Sequence, residues 1–267
     1  MDISFVILTW NSEKYIENCL ESVFASLDQS GMSAEVWVVD NGSSDGSQAI
    51  LRKYQAAKPG VVKPIYLHEN CGTTISRNLA LRQAGGDYLC IMDSDVEIGG
   101  EVFGPLLAKL ESDPAVGMVV PRILYPSGNW QKSIDRFPTL FHKLNRFFRL
   151  RSMEGNEGLR EKEAAEARTV DYAISAFWLF KREILSNVGI LDERFFYAPE
   201  DVDYCLRLWQ GGYQIVYEPK ARVVHHTQEI SRGLKLNKAK FEHVKGLFHL
   251  YRKHGFFFKS PEFKTVS

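Results

Sequence analysis

The sequence predicts an α/β fold, with a mostly parallel, Rossmann-like sheet and helices on both of its faces. Over the first hundred residues, short apolar runs of strand length alternate with segments of helical periodicity. Each strand-like run is followed by a polar loop, which is where parallel strands present ligand-binding groups. Of the 267 residues, 45% are hydrophobic and 25% are charged, as expected for a globular chain with a full core.

Charge and cysteine content exclude several classes of protein. Lys+Arg and Asp+Glu are balanced at 33 each, so no overall field attracts nucleic acid, and we expect no nucleic-acid partner. The four cysteines are widely spaced without a Cys-x-x-Cys pair, which favours reduced thiols over a zinc site. The amino terminus lacks a basic signal-like region, and no apolar stretch reaches the roughly 18 residues of a spanning helix. We therefore expect a cytoplasmic protein.

Four strand and helix units fill the first hundred residues. Strands are expected at Ile3–Leu8, Glu35–Val39, Val62–Leu67 and Tyr88–Met92. Helices are expected from Ile16 to Val23, from Ser47 to Tyr54 and through Ile75, Leu79 and Leu81. Ser12 is the expected N-cap of the first helix, because its hydroxyl can accept a hydrogen bond from a free backbone N–H.

Polar side chains follow each of these strands. The four loops are Thr9-Trp10-Asn11, Asp40-Asn41-Gly42, Asn70-Cys71-Gly72 and Asp93-Ser94-Asp95. Because carboxyl ends of parallel strands meet at one edge of a sheet, we expect these loops to converge on one crevice. Ionised carboxylates at the end of a buried strand are costly without a cation or donors, so Asp93 and Asp95 indicate a hard divalent metal that bridges the protein to a diphosphate.

No Gly-x-Gly-x-x-Gly follows the first strand, and the chain has no P-loop motif, so dinucleotide and P-loop phosphate sites are disfavoured.

Beyond Val96 the pattern predicts a helix at 102–110 and strands at 117–120 and within 170–180. A charged excursion is expected at 142–168, followed by a helix at 182–188. A further helix begins at Glu200 and Asp201, and strands follow at 213–218 and 223–226.

The tail at 235–258 has an apolar helical stripe with lysines and arginines between its members, namely Phe241, Val244, Leu247, Phe248 and Tyr251. Most such helices pack on a core, and a minority of basic, aromatic tails contacts a membrane surface. The expected organisation is a first half at 1–97, a second half of the same domain at 98–232 and a helical tail at 233–267.

In this order, the motifs resemble the inverting nucleotide-sugar glycosyltransferases of family 2, which have the GT-A fold. The resemblance rests on Val6-Ile7-Leu8-Thr9-Trp10-Asn11, the run from Val38 to Ser47, Asn70-Cys71-Gly72, Arg77-Asn78 and Asp93-Ser94-Asp95. The later run from Gly189 to Asp203, together with His225-His226, is similar to the rhamnosyltransferase-like branch.

The resemblance implies that 1–97 is a donor-binding half and that 98–232 is an acceptor-binding and catalytic half of the same domain. It also implies a role for each matching residue. Asp40 accepts a hydrogen bond from the nucleotide base, and Asp93, Asp95 and His225 hold Mn²⁺ or Mg²⁺ on the diphosphate. In the acidic pair Glu200-Asp201, the aspartate takes the proton of the acceptor hydroxyl. The remaining implied donor-binding residues are Thr9, Trp10, Asn11, Asn41, Gly72, Arg77, Asp93 and Ser94.

Plainer roles remain open for several of these residues. Asp40 can cap a turn, Glu200 and Asp201 can cap a helix, and His225 can be a core histidine. Asp203 competes as the catalytic carboxylate, and His226 competes with His225 as the metal-binding histidine. Relatives commonly carry Gly-Ala where this chain has Ser175-Ala176, which changes the loop near the acceptor.

The expected function is transfer of a sugar, with rhamnose as one candidate, from a nucleotide diphosphate donor to a glycan or lipid-linked glycan at the inner face of the membrane. The alternatives are a non-catalytic nucleotide-sugar binding protein and a sugar nucleotidyltransferase. The second would require a Gly-rich, basic loop after the first strand, and Thr9-Trp10-Asn11-Ser12 is not one.

Overall fold

The computed structural model describes residues 1–138, 165–227, 238–255, 261 and 263, and gives the backbone alone for 238–240. The expected charged excursion at 142–168 falls outside the described residues apart from its last four. The same applies to much of the tail beyond residue 255.

Eleven strands and seven helices are defined in the described part of the chain. The strands are β1 Ile3–Thr9, β2 Ala34–Asp40, β3 Val62–Tyr66, β4 Tyr88–Asp93, β5 Val96–Ile98, β6 Val116–Leu124, β7 Ile134–Asp135, β8 Arg168–Thr169, β9 Tyr172–Ala173, β10 Phe177–Lys181 and β11 Gln214–His225. The helices are α1 Ile16–Ser30, α2 Ser47–Ala57, α3 Thr73–Leu81, α4 Phe103–Leu110, α5 Glu183–Val188, α6 Glu200–Gln210 and α7 Lys238–His254.

One sheet runs through the molecule in the order β3-β2-β1-β4-β10-β6-β11-β5, with β8 paired to β11. The first four strands in this order are parallel, which confirms the predicted α/β units. Strand β10 then runs antiparallel between β4 and β6. Because β10 comes from the second half of the chain, both halves share one continuous sheet.

Helices cover both faces of this sheet, as predicted. Along β4, Cys90 and Met92 belong to one buried cluster, which includes residues of α1, α2 and α4. Leu89 and Ile91 belong to another cluster on the other face, which includes residues of α3, α6 and α7. Successive strand residues point to opposite faces, so the alternation shows a strand buried on both sides. Trp178 is fully buried in the second cluster.

The structure corrects two predictions of local structure. Ser12 is not an N-cap, because a turn at 13–15 separates it from α1 and its backbone carbonyl accepts the N–H groups of Tyr15 and Ile16. The two strands expected at 213–218 and 223–226 form the single strand β11. Its register shifts between Glu218 and Arg222, and Pro219 in that interval has no N–H to contribute to a ladder.

The carboxyl-terminal helix α7 has one packed side and one exposed side. Leu250 and Tyr251 are buried in the second cluster, in agreement with the predicted core packing. Phe241, Val244 and Phe248 are instead 69%, 65% and 65% exposed. No helix in the described ranges is long and apolar enough to span a bilayer.

Candidate active site

The carboxyl ends of β1, β2 and β4 bring three predicted site residues to one edge of the sheet. In the register of the parallel pairs, Thr9 lies opposite Asp40, and Leu8 lies opposite Asp93. This placement follows from the polar loops that begin where the apolar runs stop. The predicted convergence therefore holds for Thr9, Asp40 and Asp93.

Asp40 and Thr9 form a buried polar corner with open hydrogen-bonding capacity. Both side chains are fully buried. Asp40 Oδ2 accepts hydrogen bonds from Gln48 Nε2 at 2.7 Å and from the Ser43 backbone at 3.3 Å. Asp40 Oδ1 and Thr9 Oγ1 have no hydrogen-bond partner among the described residues. An unsatisfied buried polar atom costs roughly 1–3 kcal/mol, so this corner fits a ligand that supplies the missing donor.

Two predicted donor-binding asparagines hold the loops of this corner together. Asn11 Oδ1 accepts the backbone N–H of Ser44 at 2.8 Å. Asn41 Oδ1 accepts the backbone N–H of Cys71 and the hydroxyl of Ser76, both at 2.9 Å. These side chains are therefore bound within the protein, where they fix the shape of the loops. Trp10 beside Asn11 is partly exposed.

Gly72 makes a close contact between the two halves of the site. Its φ of 88° lies in the region that favours glycine, and an added Cβ would collide with the backbone oxygen of Phe196. The N–H of the next residue, Thr73, donates to the same oxygen at 2.7 Å. The predicted site residue Gly72 thus lets the donor-side loop touch the segment that precedes Glu200.

Asp93, Asp95 and His225 form a group of candidate metal ligands. One ligand atom from each lies within 4.8 Å of the others. Strand pairing places His225 opposite Val96, directly after Asp95, and His225 Nε2 lies 3.3 Å from Asp95 Oδ1. Ser94 between the aspartates is buried, and its hydroxyl donates to Ser12.

Gln131 orients the imidazole of this group. Its Oε1 lies 3.0 Å from His225 Nδ1. A carbonyl oxygen only accepts hydrogen bonds, so Nδ1 carries the proton. Nε2 faces Asp95, where the protonated ring donates to the carboxylate and the neutral ring would offer its lone pair to a cation. Sequence reasoning missed Gln131, since an isolated glutamine after Trp130 carries no recognisable signal.

The electrostatics of the group suit a divalent cation. Burial raises the pKa of Asp93, the neighbouring Asp95 raises it further, and the charge of Arg77 offsets part of this rise. Burial lowers the pKa of His225, but the hydrogen bond with Asp95 and the charges of Asp95 and Asp93 together outweigh it, so this pKa lies above its usual value. Two carboxylates and one imidazole are a donor set for Mn²⁺ or Mg²⁺, and a cation would offset the crowding of negative charge.

Arg77 lies between the two acidic groups of the site. It is 1% exposed, and its Nη2 donates to Asp93 Oδ1 at 2.5 Å and to the Ser175 carbonyl at 3.0 Å. Its Nη1 lies 3.6 Å from Glu200 Oε1. Its Nε and Nη1 have no hydrogen-bond partner among the described residues, and the direct donor contact that the resemblance implies stays a prediction. In the structure, Arg77 joins the candidate metal ligands to the acidic pair.

The acidic pair opens helix α6. Glu200 is buried and accepts the hydroxyl of Ser175 at 3.0 Å, while Asp201 is partly exposed. The competing carboxylate, Asp203, is fully buried and paired with Arg207, Lys253 and His254. Asp203 therefore lies in the protein interior with its charge paired. Among Glu200, Asp201 and Asp203, Asp201 is the carboxylate that is partly exposed.

Tyr197 is a candidate site residue that sequence reasoning missed. Its ring is 40% exposed, and burial together with the charges of Glu200 and Asp93 raises its pKa to about 12. Its hydroxyl therefore stays neutral and can donate a hydrogen bond at neutral pH. An aromatic residue three positions before an acidic pair was the available signal.

Comparison with known proteins identifies the class. Residues 4–189 match the model of glycosyl transferase family 2, so the chain belongs to this family and is a glycosyltransferase. A curated relative, the N-acetylglucosaminyl-diphospho-decaprenol L-rhamnosyltransferase of Mycobacterium tuberculosis, is 28% identical over 235 residues, which cover 83% of this chain and 75% of the relative.

Solved structures confirm the GT-A fold. GalNAc-T7 with UDP, GalNAc and Mn²⁺ matches with a TM-score of 0.67 and 17% identity, over 94% of this chain and 48% of that chain. The mannosyltransferase PcManGT from Pyrobaculum calidifontis, in complex with GDP-Man and Mn²⁺, matches with a TM-score of 0.60 and 21% identity, over 97% and 65%. The chain thus spans about half to two thirds of these solved proteins.

Proposed function

We propose that the chain is an inverting, metal-dependent glycosyltransferase that moves a sugar from a nucleotide diphosphate donor to a hydroxyl group of a glycan or lipid-linked glycan. One observation carries this proposal: buried Arg77 joins Asp93 of the candidate metal ligands to Glu200 of the acidic pair. The group proposed to hold the leaving diphosphate and the pair proposed to activate the acceptor therefore both contact the side chain of Arg77.

The two halves of the chain divide these functions. Residues 1–97 bind the donor, with Asp40 Oδ1 and Thr9 Oγ1 facing the nucleotide base as its buried, unpaired partners. Residues 98–232 supply Glu200, Asp201 and the third metal ligand, His225. The described part of the tail at 233–267 contains helix α7.

In the proposed reaction, Asp201 accepts the proton of the acceptor hydroxyl as its oxygen attacks the anomeric carbon. The bond from that carbon to the diphosphate breaks in the same displacement, so the configuration inverts and no covalent enzyme intermediate forms. Asp93, Asp95 and His225 would hold Mn²⁺ or Mg²⁺, which would supply positive charge to the departing diphosphate. Arg77 separates the carboxylates of the two groups by pairing with Asp93 and Glu200, and Tyr197 offers a neutral hydrogen-bond donor.

The candidate substrates follow from the curated relative. Its name specifies an L-rhamnosyl donor and an acceptor that carries a sugar on a lipid diphosphate. Because the match spans most of both chains, we propose a deoxyhexose such as rhamnose as the donor sugar and a lipid-linked glycan as the acceptor. Both belong to the assembly of cell-envelope polysaccharides.

A donor screen with Mn²⁺ tests this proposal by measuring released nucleoside diphosphate with and without a lipid-diphosphate-linked sugar. We expect one donor to stand out, release to rise in the presence of acceptor, and chelation of the metal to stop it. Binding of a donor without release would support a non-catalytic binding protein instead. Formation of a nucleotide sugar with pyrophosphate would support a nucleotidyltransferase.

We propose in addition that the chain attaches to the cytoplasmic face of the membrane through the exposed side of α7. Phe241, Val244 and Phe248 are spaced at i, i+3 and i+7, so they form one exposed apolar stripe. The same helix contacts the segment just before Glu200, since its Gly246 lies against Ala198 and Pro199. A membrane bound to the stripe would hold a lipid-linked acceptor near the acidic pair.

Sedimentation with vesicles that contain anionic lipid tests this attachment. Replacing both Phe241 and Phe248 with serine should reduce the bound fraction at least tenfold, because burial of a phenylalanine contributes roughly 1.5–3 kcal/mol. Lys53→Ser is the control, since Lys53 is 69% exposed on α2, whose buried residues lie in the other cluster. Equal binding of the wild type and the double variant would rule out the stripe as the attachment site.

A further inference from the structure

Helix α7 approaches the segment before the acidic pair more closely than a side chain allows. A Cβ at Gly246 would lie 2.9 Å from the Ala198 carbonyl oxygen and 2.9 Å from Pro199 Cδ. Real Cβ atoms essentially never come this close to such atoms, so a methyl group here would displace either the helix or the backbone at 198–199. Glu200 follows Pro199 directly, so this contact borders the catalytic pair.

The same helix also holds the residue that follows the pair. Lys253 Nζ lies 2.6 Å from Asp203 Oδ1 and 2.8 Å from Asp192 Oδ2, and His254 Nε2 lies 2.8 Å from Asp203 Oδ1. Burial raises the pKa of Asp203, but the hydrogen bond from His254 and the charges of Arg207 and Lys253 hold it below its usual value. Asp203 is therefore a buried anion that is held in place largely by α7.

A third contact fixes the loop upstream of the pair. His249 packs edge-on against Phe195, with the ring centroids 4.9 Å apart, and its Nε2 lies 3.3 Å from Asp192 Oδ2. Together with Gly246 and Lys253, this side chain connects α7 to the chain on both sides of Glu200 and Asp201. On the opposite side, Glu200 is held by Ser175 and Arg77.

We propose that α7 is a positioning element for the acceptor base, with Gly246 and Lys253 as positioning residues. The Asp201 carboxylate is partly exposed, and the backbone on either side of it is held at 198–199 and at Asp203. The helix thus sets where the Asp201 carboxylate lies relative to the sugar. This inference rests on the proposed role of Asp201 as the base.

Gly246→Ala tests this role in the full-length chain. Alanine favours a helix more than glycine, so the substitution should not unfold α7, and only the close contact at 198–199 is strained. We expect kcat for transfer to fall about tenfold while the Kd for the donor and the melting temperature stay near the wild type. A loss of folding stability alone would lower the melting temperature and leave kcat of the folded fraction unchanged.

Two matched variants serve as controls. Lys245→Ala alters the neighbouring position on α7, where the side chain is 64% exposed, and Gly85→Ala adds a methyl group with only ordinary contacts, 3.8 Å from Glu35 Oε1. Both should retain the wild-type kcat. Lys253→Met should lower kcat, and Lys253→Arg should restore much of it by renewing the bridge between Asp192 and Asp203.

Asp201→Asn is assayed in parallel, so that failure of the positioning role of α7 can be distinguished from failure of the base assignment of Asp201. If Asp201→Asn is inactive and Gly246→Ala has full kcat, α7 does not position the base, although Asp201 remains the base. If Asp201→Asn retains transfer, the base assignment fails and the positioning role fails with it. A Gly246→Ala variant with unchanged kcat and weaker donor binding would likewise overturn the inference.

Discussion

Replacing Asp95 with alanine should reduce sugar transfer at least about a thousandfold. The carboxylate is one of the three ligands of the candidate metal group, and its Oδ1 lies 3.3 Å from His225 Nε2. Metal stabilisation of a leaving group contributes several kcal/mol, and each 1.4 kcal/mol corresponds to a factor of about ten in rate. The measurement is kcat/KM under saturating Mn²⁺, together with a calorimetric titration of Mn²⁺ into the donor complex.

Glu97→Ala is the matched control for this variant. Glu97 lies two residues further along the chain and pairs with His226 at 2.8 Å, outside the three-ligand group. It should retain most of the wild-type rate and its Mn²⁺ affinity. A fully active Asp95→Ala variant would end the assignment of the metal site, whereas an inactive Glu97→Ala variant would show that the effect is not specific.

The fold of the donor-side half could be predicted from the sequence because the patterns that define its strands and loops are local. A run such as Tyr88–Met92 alternates between two buried faces, and the polar residues that end it have few structural alternatives. Parallel pairing then places Thr9, Asp40 and Asp93 side by side without further information. Fold class and the convergence of loops follow from this pattern.

The packing of the acceptor-side half could not be predicted in the same way, because its contacts join residues that are far apart in the sequence. Strand β10 pairs between β4 and β6, and no local sequence pattern specifies this long-range pairing. The burial of Arg77 depends on Ser175, 98 residues further along, and on Glu200. Periodicity placed Arg77 on a helix, but only the packing of the two halves decides whether its guanidinium meets solvent, substrate or protein.

Ser175 lies where the family resemblance leads us to expect glycine. Its hydroxyl donates to Glu200 Oε1, and its carbonyl accepts from Arg77. The substitution therefore adds a hydrogen bond to the buried member of the acidic pair. The sequence indicated an altered loop, and the structure shows which carboxylate this loop contacts.

Asp201→Asn should remove transfer and leave donor binding intact. Asparagine has nearly the same size and can still accept the Val202 N–H, which Asp201 Oδ1 accepts at 2.8 Å, but its amide cannot take a proton. Loss of a general base typically lowers a rate by about 10²–10⁴. We expect a fall in kcat of this size with an unchanged Kd for the donor, measured by stopped-time transfer assays and by calorimetry.

The comparison with Asp203→Asn decides whether the effect comes from chemistry or from folding. Asp203 is fully buried and bridged to Lys253 and Arg207, so removing its charge takes away the buried anion that these two cations share and should lower the melting temperature markedly. Asp201 is partly exposed, so its neutral variant should melt near the wild type. Since the two residues share the first turn of α6, an inactive but stable Asp201→Asn beside an unstable Asp203→Asn would assign the proton transfer to Asp201. The reverse pattern would move that role to Asp203 and would require the α7 contacts to open during the reaction.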